Sequence, residues 1–292
     1  MRRTAVVTAG TAGIGLETAV GLAAAGFAVT AVGRDAERGA RAVDRINAAD
    51  PAHPARFLAA DLASLAEVRD LADRIAADGP LTALVNNVGA MFPERRDSVD
   101  GVEATFAVNH LSPYLLTELL LPVLRAGAPS RVVNVTTGAV RTARRSFDAV
   151  EPPGGYYGFH WYGRAKLANL AYTLDLAGRL DGSGVSVFAA DPGGAATGMT
   201  TGRMRDPRIV SPGLRLLWPL VRRVFERSTS GPASTAARSS IFAATDDSLT
   251  GRTGVVIGPG ARPVTPLRAA TDPAVAEAVA RLSRLHAPVA GA

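Results

Sequence analysis

Seven short runs rich in β-branched and small apolar residues recur along the chain, at 5–9, 28–32, 56–60, 83–86, 131–136, 185–190 and 254–257. Between them lie stretches of helical periodicity, near 14–25, 36–48, 64–77, 101–126, 161–181 and 233–245. The first kind reads as strands and the second as helices. The strand runs lack clean apolar–polar alternation, as expected when helices cover both faces of a sheet. Strand–helix–strand repetition predicts a parallel sheet of about seven strands with right-handed crossovers. No composition shift or linker divides the chain. Residues 1–292 are therefore read as one α/β domain of the doubly wound Rossmann type.

Two segments break the rhythm. Residues 138–160 hold Arg141, Arg144, Arg145, Pro152, Pro153, Gly154 and Gly155 and read as an irregular insertion. Residues 193–232 are too long to be only a connection, which suggests a substrate lid. Met199, Met204, Leu214, Leu217, Trp218, Val221 and Phe225 make that lid apolar, and the last five follow helical spacing. Arg215, Arg222, Arg223 and Arg227 leave a second reading open, a basic amphipathic helix lying on a membrane.

Composition narrows the choice of function. Hydrophobic residues at 47% and charged residues at 20% argue against disorder. The absence of cysteine excludes thiolate chemistry, disulfides and Cys-based metal sites. His53, His110, His160 and His286 show no metal-ligand spacing, so no metal is expected. The net charge of +6 is compatible with an anionic ligand such as a phosphorylated cofactor. Scattered arginines and few aromatics speak against nucleic acid. Met1-Arg2-Arg3 leads straight into the first strand rather than an export signal, and no apolar stretch is long enough to span a bilayer. A cytoplasmic protein with a small-molecule substrate is the expectation.

The turn after the first strand reads Thr8-Ala9-Gly10-Thr11-Ala12-Gly13-Ile14-Gly15. Glycine lets a backbone turn sharply and approach a pyrophosphate, and the next helix offers free N–H groups and a partial positive charge. The spacing is not G-x-G-x-x-G. A plain tight turn is the alternative, but a strand–helix junction beginning at residue 8 favours a dinucleotide cradle made of Gly10, Thr11, Ala12, Gly13, Ile14 and Gly15. The second strand ends Ala31-Val32-Gly33-Arg34-Asp35. An acid there would hold the ribose 2′-hydroxyl of NAD, whereas an arginine favours the 2′-phosphate of NADP. Gly33 stands where the acid is expected, and the Arg34 guanidinium suits a phosphate. NADP(H) is the expected preference, with NAD(H) left open. The alternative is a solvated Arg34 beside Asp35 capping the next helix.

Tyr162-Gly163-Arg164-Ala165-Lys166 puts a phenol and an ammonium on one helix face. Reducing a carbonyl requires a proton for the developing alkoxide. A free phenol, with a pKa near ~10, exchanges protons poorly at neutral pH. A neighbouring Lys⁺ stabilises phenolate and lowers that value. Such a pair arises often by chance, but other strand ends accompany it. Asn86-Asn87-Val88-Gly89 closes the fourth strand and Asn134-Val135-Thr136-Thr137 the fifth. Asn109 lies inside the long helix, and Pro192-Gly193 follows the sixth strand. In these residues the chain resembles the short-chain dehydrogenase/reductase family over nearly its whole length. It is most similar to the branch that contains retinol dehydrogenases. That finer likeness rests on Asp61-Leu62-Ala63-Ser64-Leu65, on Val108 to Thr117, and on Tyr162 to Asn169, ending Lys166-Leu167-Ala168-Asn169.

The resemblance implies an NAD(P)-dependent oxidoreductase interconverting a carbonyl and an alcohol. It makes Tyr162 the proton donor or acceptor. Lys166 would bind the nicotinamide ribose and depress the tyrosine pKa, and Asn109 would hold a water relaying protons to Lys166. Thr137 falls where serine usually holds the substrate oxygen. It keeps the hydroxyl but adds a methyl and stiffens χ1. Asp61 and Leu62 would flank the adenine. Asn87 would close over the adenosine ribose, followed by Val88, where alanine is more usual, and Gly89. Pro192, Gly193 and Thr197 would meet the nicotinamide. Ala9 replaces the first glycine of the family's T-G-x-x-x-G-x-G turn. His110 reads as a packing residue, and His160 as a residue at the pocket mouth. The apolar lid suggests a bulky apolar substrate. Enone reduction, dehydration or epimerisation at the same site is an alternative. A regulatory dinucleotide-binding protein without turnover is another, against which the complete Asn109/Thr137/Tyr162/Lys166 set argues. The insertion lies where relatives pair their helices, so monomer, homodimer and tetramer all stay open.

Overall fold

The computed structural model describes residues 3–50, 52–196 and 206–289. Its strands are β1 (Thr4–Val7), β2 (Ala28–Gly33), β3 (Arg56–Ala59), β4 (Ala83–Asn86), β5 (Ser130–Val135), β6 (Val185–Ala190), β7 (Val255–Gly258) and β8 (Arg262–Val264). They form one sheet in the order β3-β2-β1-β4-β5-β6-β7-β8. The first seven are parallel, and β8 returns antiparallel beside β7. The expectation of about seven strands is thus one short. β8 has only three residues, all exposed, with Pro263 in the middle. Such a strand leaves no apolar run to read.

Successive residues of a strand enter different cores. Ala5, Val7 and Val85 pack under α1 (Gly13–Ala24) and α2 (Ala36–Asn47). Val6, Leu84 and Val132 pack on the other face, where α3 (Leu65–Ala76) lies. Both faces being covered, no strand needs a polar side. The remaining helices are α4 (Ala104–Phe106), α5 (Ser112–Ala126), α6 (Gly158–Arg179), α7 (Pro212–Arg215), α8 (Trp218–Ser228), α9 (Ala233–Thr245) and α10 (Pro273–His286). α9 joins the face of α1, and α5, α6 and α10 join that of α3. α10 lies beyond the last predicted element, although Asp272 caps it and Pro273 opens it.

Local chemistry fixes the helix ends. Asp35 accepts from the Arg38 N–H at 2.9 Å and starts α2, and Ser64 accepts from the Glu67 N–H and starts α3. α1 differs. Its N-cap is Ala12, which has no side-chain acceptor, so its first N–H groups stay uncapped. Between α4 and α5 the chain makes a π-helical turn, Ala107–Leu111. Pro113 has no N–H to offer the Asn109 carbonyl one α-turn back, which explains the wider turn there. The predicted insertion 138–160 begins with a 3₁₀ turn at Gly138–Thr142, and its last residues, from Gly158, already belong to α6.

Candidate active site

Strand order reverses between β1 and β4, and a doubly wound sheet opens a crevice at the carboxyl ends of strands at such a point. Here that crevice is a cleft of about 860 Å³. Its walls include the turn before α1, Arg34, Asn87, Thr137, Tyr162 and Lys166. Residues that the sequence scatters from 9 to 193 thus converge on one site.

The turn before α1 is tight on its own account. A Cβ at Gly10 would lie 2.7 Å from the Val7 carbonyl oxygen, and one at Gly15 would lie 2.2 Å from that of Ala9. Gly13 has φ +54°. Ala9, standing where glycine is usual, also takes a left-handed φ of +49°. An L-residue there costs about 1–2 kcal/mol, so the turn keeps its shape at the expense of strain. The Asn87 amide donates to the carbonyls of Thr8 (3.1 Å) and Ala9 (3.4 Å), and the Val88 N–H donates to the Thr8 hydroxyl (3.1 Å). Asn87 therefore braces the turn, a role its place beside Gly89 did not reveal. The uncapped N–H groups of α1 and the close backbone together fit a pyrophosphate.

At the end of β2 the helix cap read from the sequence is present. Asp35 caps α2, while Arg34 lines the cleft at its rim, 3.7 Å from the exposed Asp61 carboxylate. An exposed pair of that kind is weak and leaves the guanidinium free to turn to another anion. Arg38, four residues on, also lines the cleft and escaped the sequence reading. Leu62 is buried in the same wall.

Tyr162 and Lys166 are both buried on α6. The Thr137 hydroxyl lies near enough to the Tyr162 phenol to pull its pKa down. Burial pushes the phenol up to about 12, against that pull, and the nearby Asp191 carboxylate adds to the rise. Lys166, the only lysine in the chain, donates to the carbonyls of Val88 and Val135, each at 2.9 Å. Burial pushes it down to about 7. A Cβ at Gly89 would sit 3.5 Å from Asn109 Oδ1 and 3.7 Å from Lys166 Cε, so these three residues meet. The Asn109 side chain is fully engaged. Its Oδ1 accepts from the Ala90 N–H at 3.1 Å, and its Nδ2 donates to the carbonyls of Ala90 and Thr105, each at 2.7 Å. Pro113 has no N–H to offer the Asn109 backbone carbonyl one α-turn back. Under the site, Asn86 donates to Thr117 and to Asn134, each at 2.8 Å, and Asn134 donates to Thr173 at 2.9 Å. This buried ladder ties β4, β5, α5 and α6 together below the reactive groups.

Pro192 and Gly193 line the cleft, and the Gly193 N–H donates to Asp191 Oδ1 at 2.9 Å. Burial raises the Asp191 carboxyl above its ordinary value. The residue sits immediately before Pro192-Gly193, where the sequence offered a signal that was not used. Thr197, Met199 and Met204 lie outside the described residues. Trp218, Val221 and Phe225 of α8 pack toward Tyr162, Met91 and Phe159, and the Phe159 and Phe225 rings lie 5.0 Å apart. Leu214 and Leu217, which share the predicted apolar spacing, face outward instead. His110 is a buried packing residue. Its Nε2 lies 2.7 Å from the Ser283 hydroxyl, and burial pushes its pKa down to about 3, so it is neutral. His160 lines a separate cavity of about 290 Å³ with Tyr157 and Trp161, not the main cleft. Among the described residues no cluster of His, Asp or Glu could hold a metal ion.

A doubly wound sheet with a dinucleotide cradle and a buried tyrosine–lysine pair at its carboxyl edge defines an NAD(P)-dependent oxidoreductase. The model of the short chain dehydrogenase family matches residues 3–208, and the chain belongs to that family. Its relatives point to the retinol dehydrogenase-like branch. It is 36% identical to mouse retinol dehydrogenase 12 over 227 residues, 77% of this chain and 69% of that one. It is 41% identical to mouse polyprenol dehydrogenase over 65% of this chain and 59% of that one. It is 40% identical to bovine dehydrogenase/reductase SDR family member 13 over 65% of this chain, but there it spans only 51% of the relative's length. Among solved structures, an uncharacterized protein from Mycobacterium Paratuberculosis superposes with a TM-score of 0.74 at 28% identity, covering 98% of this chain and 93% of that one. The Pseudomonas aeruginosa RhlG/NADP active-site complex superposes with a TM-score of 0.68 at 29% identity, covering 89% and 95%.

Proposed function

We propose that the protein interconverts a carbonyl and an alcohol on a bulky apolar substrate, using NADP(H) in preference to NAD(H). The observation that carries this reading is the buried Tyr162–Lys166 pair with the half-buried Thr137 hydroxyl near the phenol, all lining a cleft with an apolar wall. A nicotinamide cofactor, when bound, supplies or accepts the hydride. The chain's own residues handle the proton and the orientation. Thr137 and Tyr162 hold the substrate oxygen between their hydroxyls, and the phenol gives its proton to the developing alkoxide. Lys166, as ammonium, lowers the cost of the phenolate left behind. The Asn109 carbonyl holds a water through which Lys166 is reprotonated. Asp61 and Leu62 take the adenine end. Arg34 takes the 2′-phosphate, with Arg38 beside it. Trp218, Val221 and Phe225 cover the substrate and exclude water. The relatives named for retinol and polyprenol support an apolar alcohol or its carbonyl as the substrate class.

NADPH oxidation over a panel of ketones, aldehydes, quinones and enones tests the reading. The parent protein should reduce apolar ketones or aldehydes, and Tyr162→Phe should lose about a thousandfold in kcat while still binding NADPH. Arg34→Ala should raise KM for NADPH about tenfold and leave that for NADH unchanged. A Tyr162→Phe protein as fast as the parent would overturn the assignment. Turnover of enones alone would move it to the alternative chemistry.

A further inference from the structure

Eight large apolar side chains are exposed among the described residues, and five of them fall between 214 and 224. α8 consequently has two apolar sides. Trp218, Val221 and Phe225 pack inward on the cluster of Met91 and Tyr162, and Phe225 lines the cleft. Leu220 and Val224, one turn apart, face away from it, and Leu216 and Leu217 extend the stripe ahead of the helix. Leu216 is 86% exposed, Leu220 62% and Val224 57%. A helix that only closed a cleft would carry polar residues on its outer side. The charge on this segment is almost all of one sign, with Arg215, Arg222, Arg223 and Arg227 against Glu226. Two of these arginines are committed elsewhere. Arg222 pairs with Glu226 at 2.8 Å, and Arg215 donates to the carbonyls of Val210 and Arg208, each at 3.1 Å. Arg223 and Arg227 form no ion pair among the described residues. They lie three and seven positions after Leu220, which puts them on the same outward side of the helix.

We infer that this outward face docks on the surface of an anionic lipid bilayer. The leucines enter the acyl boundary, and the Arg223 and Arg227 guanidinium groups reach phosphate at the headgroups. A second copy of the chain is the poorer occupant, because pairing two such faces brings unpaired arginines against arginines. Docking on this side leaves the inner side of α8 on the cleft, so an apolar molecule leaving the bilayer meets the lid first. The inference does not depend on the proposed redox chemistry, since binding is read without turnover.

The test is flotation of the full chain with vesicles of pure phosphatidylcholine and of phosphatidylcholine with roughly one third phosphatidylglycerol. The parent protein should float with the anionic vesicles only, and less so as salt rises. Leu216→Ser with Leu220→Ser should weaken flotation about tenfold, and Arg223→Ser with Arg227→Ser should weaken it and remove its salt dependence. Both variants change exposed positions and should unfold at the parent temperature. Flotation of the leucine variant equal to the parent's, or no flotation of the parent, overturns the inference. So does a parent dimer in solution that the leucine variant dissociates, which would make this face a contact between copies.

Discussion

Lys166 donates to two carbonyls from a site with almost no water contact, and burial leaves it titrating at about 7. Tyr162, pushed up to about 12, is protonated at neutral pH and so stands ready as a proton donor. The lysine value lies below that of the unfolded chain, 10.5. The protein without cofactor therefore gains stability as pH rises from about 7 toward 10.5, and loses that gain as pH falls again. An anionic cofactor reverses the preference and favours the ammonium. NADPH binding should take up a proton above neutrality, and its Kd should rise about tenfold between about pH 7 and about pH 8.5. Lys166→Met should flatten that profile in a fluorescence titration. At this scale the residues that meet in the cleft were legible, because chemistry dictates their type and spacing. Ala9 was legible as a departure, but its left-handed φ was not, since the same letter fits either conformation.

Helix α6 is fixed to the insertion by Arg164, a residue the proposed chemistry does not use. Arg164, buried between Tyr162 and Lys166, donates to the carbonyls of Ser146 (2.9 and 3.1 Å), Ala149 (2.6 Å) and Val150. Its guanidinium lies 4.5 Å from the Phe147 ring. An irregular segment has few backbone partners of its own, and Arg164 satisfies three of its carbonyls at once. Arg164→Met should cost about 3 kcal/mol in urea unfolding, with Arg164→Lys recovering part of it. The strands through β7, the helices through α6, and α9 were legible from periodicity to within a few residues at their ends, but the π-turn inside 101–126 and the short α7 were not. α10 carries readable signals, Asp272 as cap and Val275, Val279 and Leu282 at helical spacing. β8 carries none. The insertion could be recognised as irregular, but not the arginine that holds it, because sequence alone does not say which solvable charge is buried.

Across the whole molecule, parallel strands bring the turn at 9–15, Asn87, Thr137 and Asp191 to one edge of the sheet, and α6 lays Tyr162 and Lys166 over it. The order of the motifs made that convergence legible. The segment around α8 was legible only as apolar and helical, since periodicity cannot tell an inward stripe from an outward one when both are apolar. Its inner stripe has a measurable role. Phe225→Ala should raise KM for a bulky apolar carbonyl about tenfold while leaving a small ketone unaffected, as steady-state kinetics will show. One feature of the cleft reaches beyond catalysis. Because the chain has a single lysine, and that lysine is walled in at the cofactor site, amine acylation finds only one side chain to modify. Brief acylation of the folded protein should therefore leave its side chains unmodified, and intact mass should show one lysine adduct only once the fold opens.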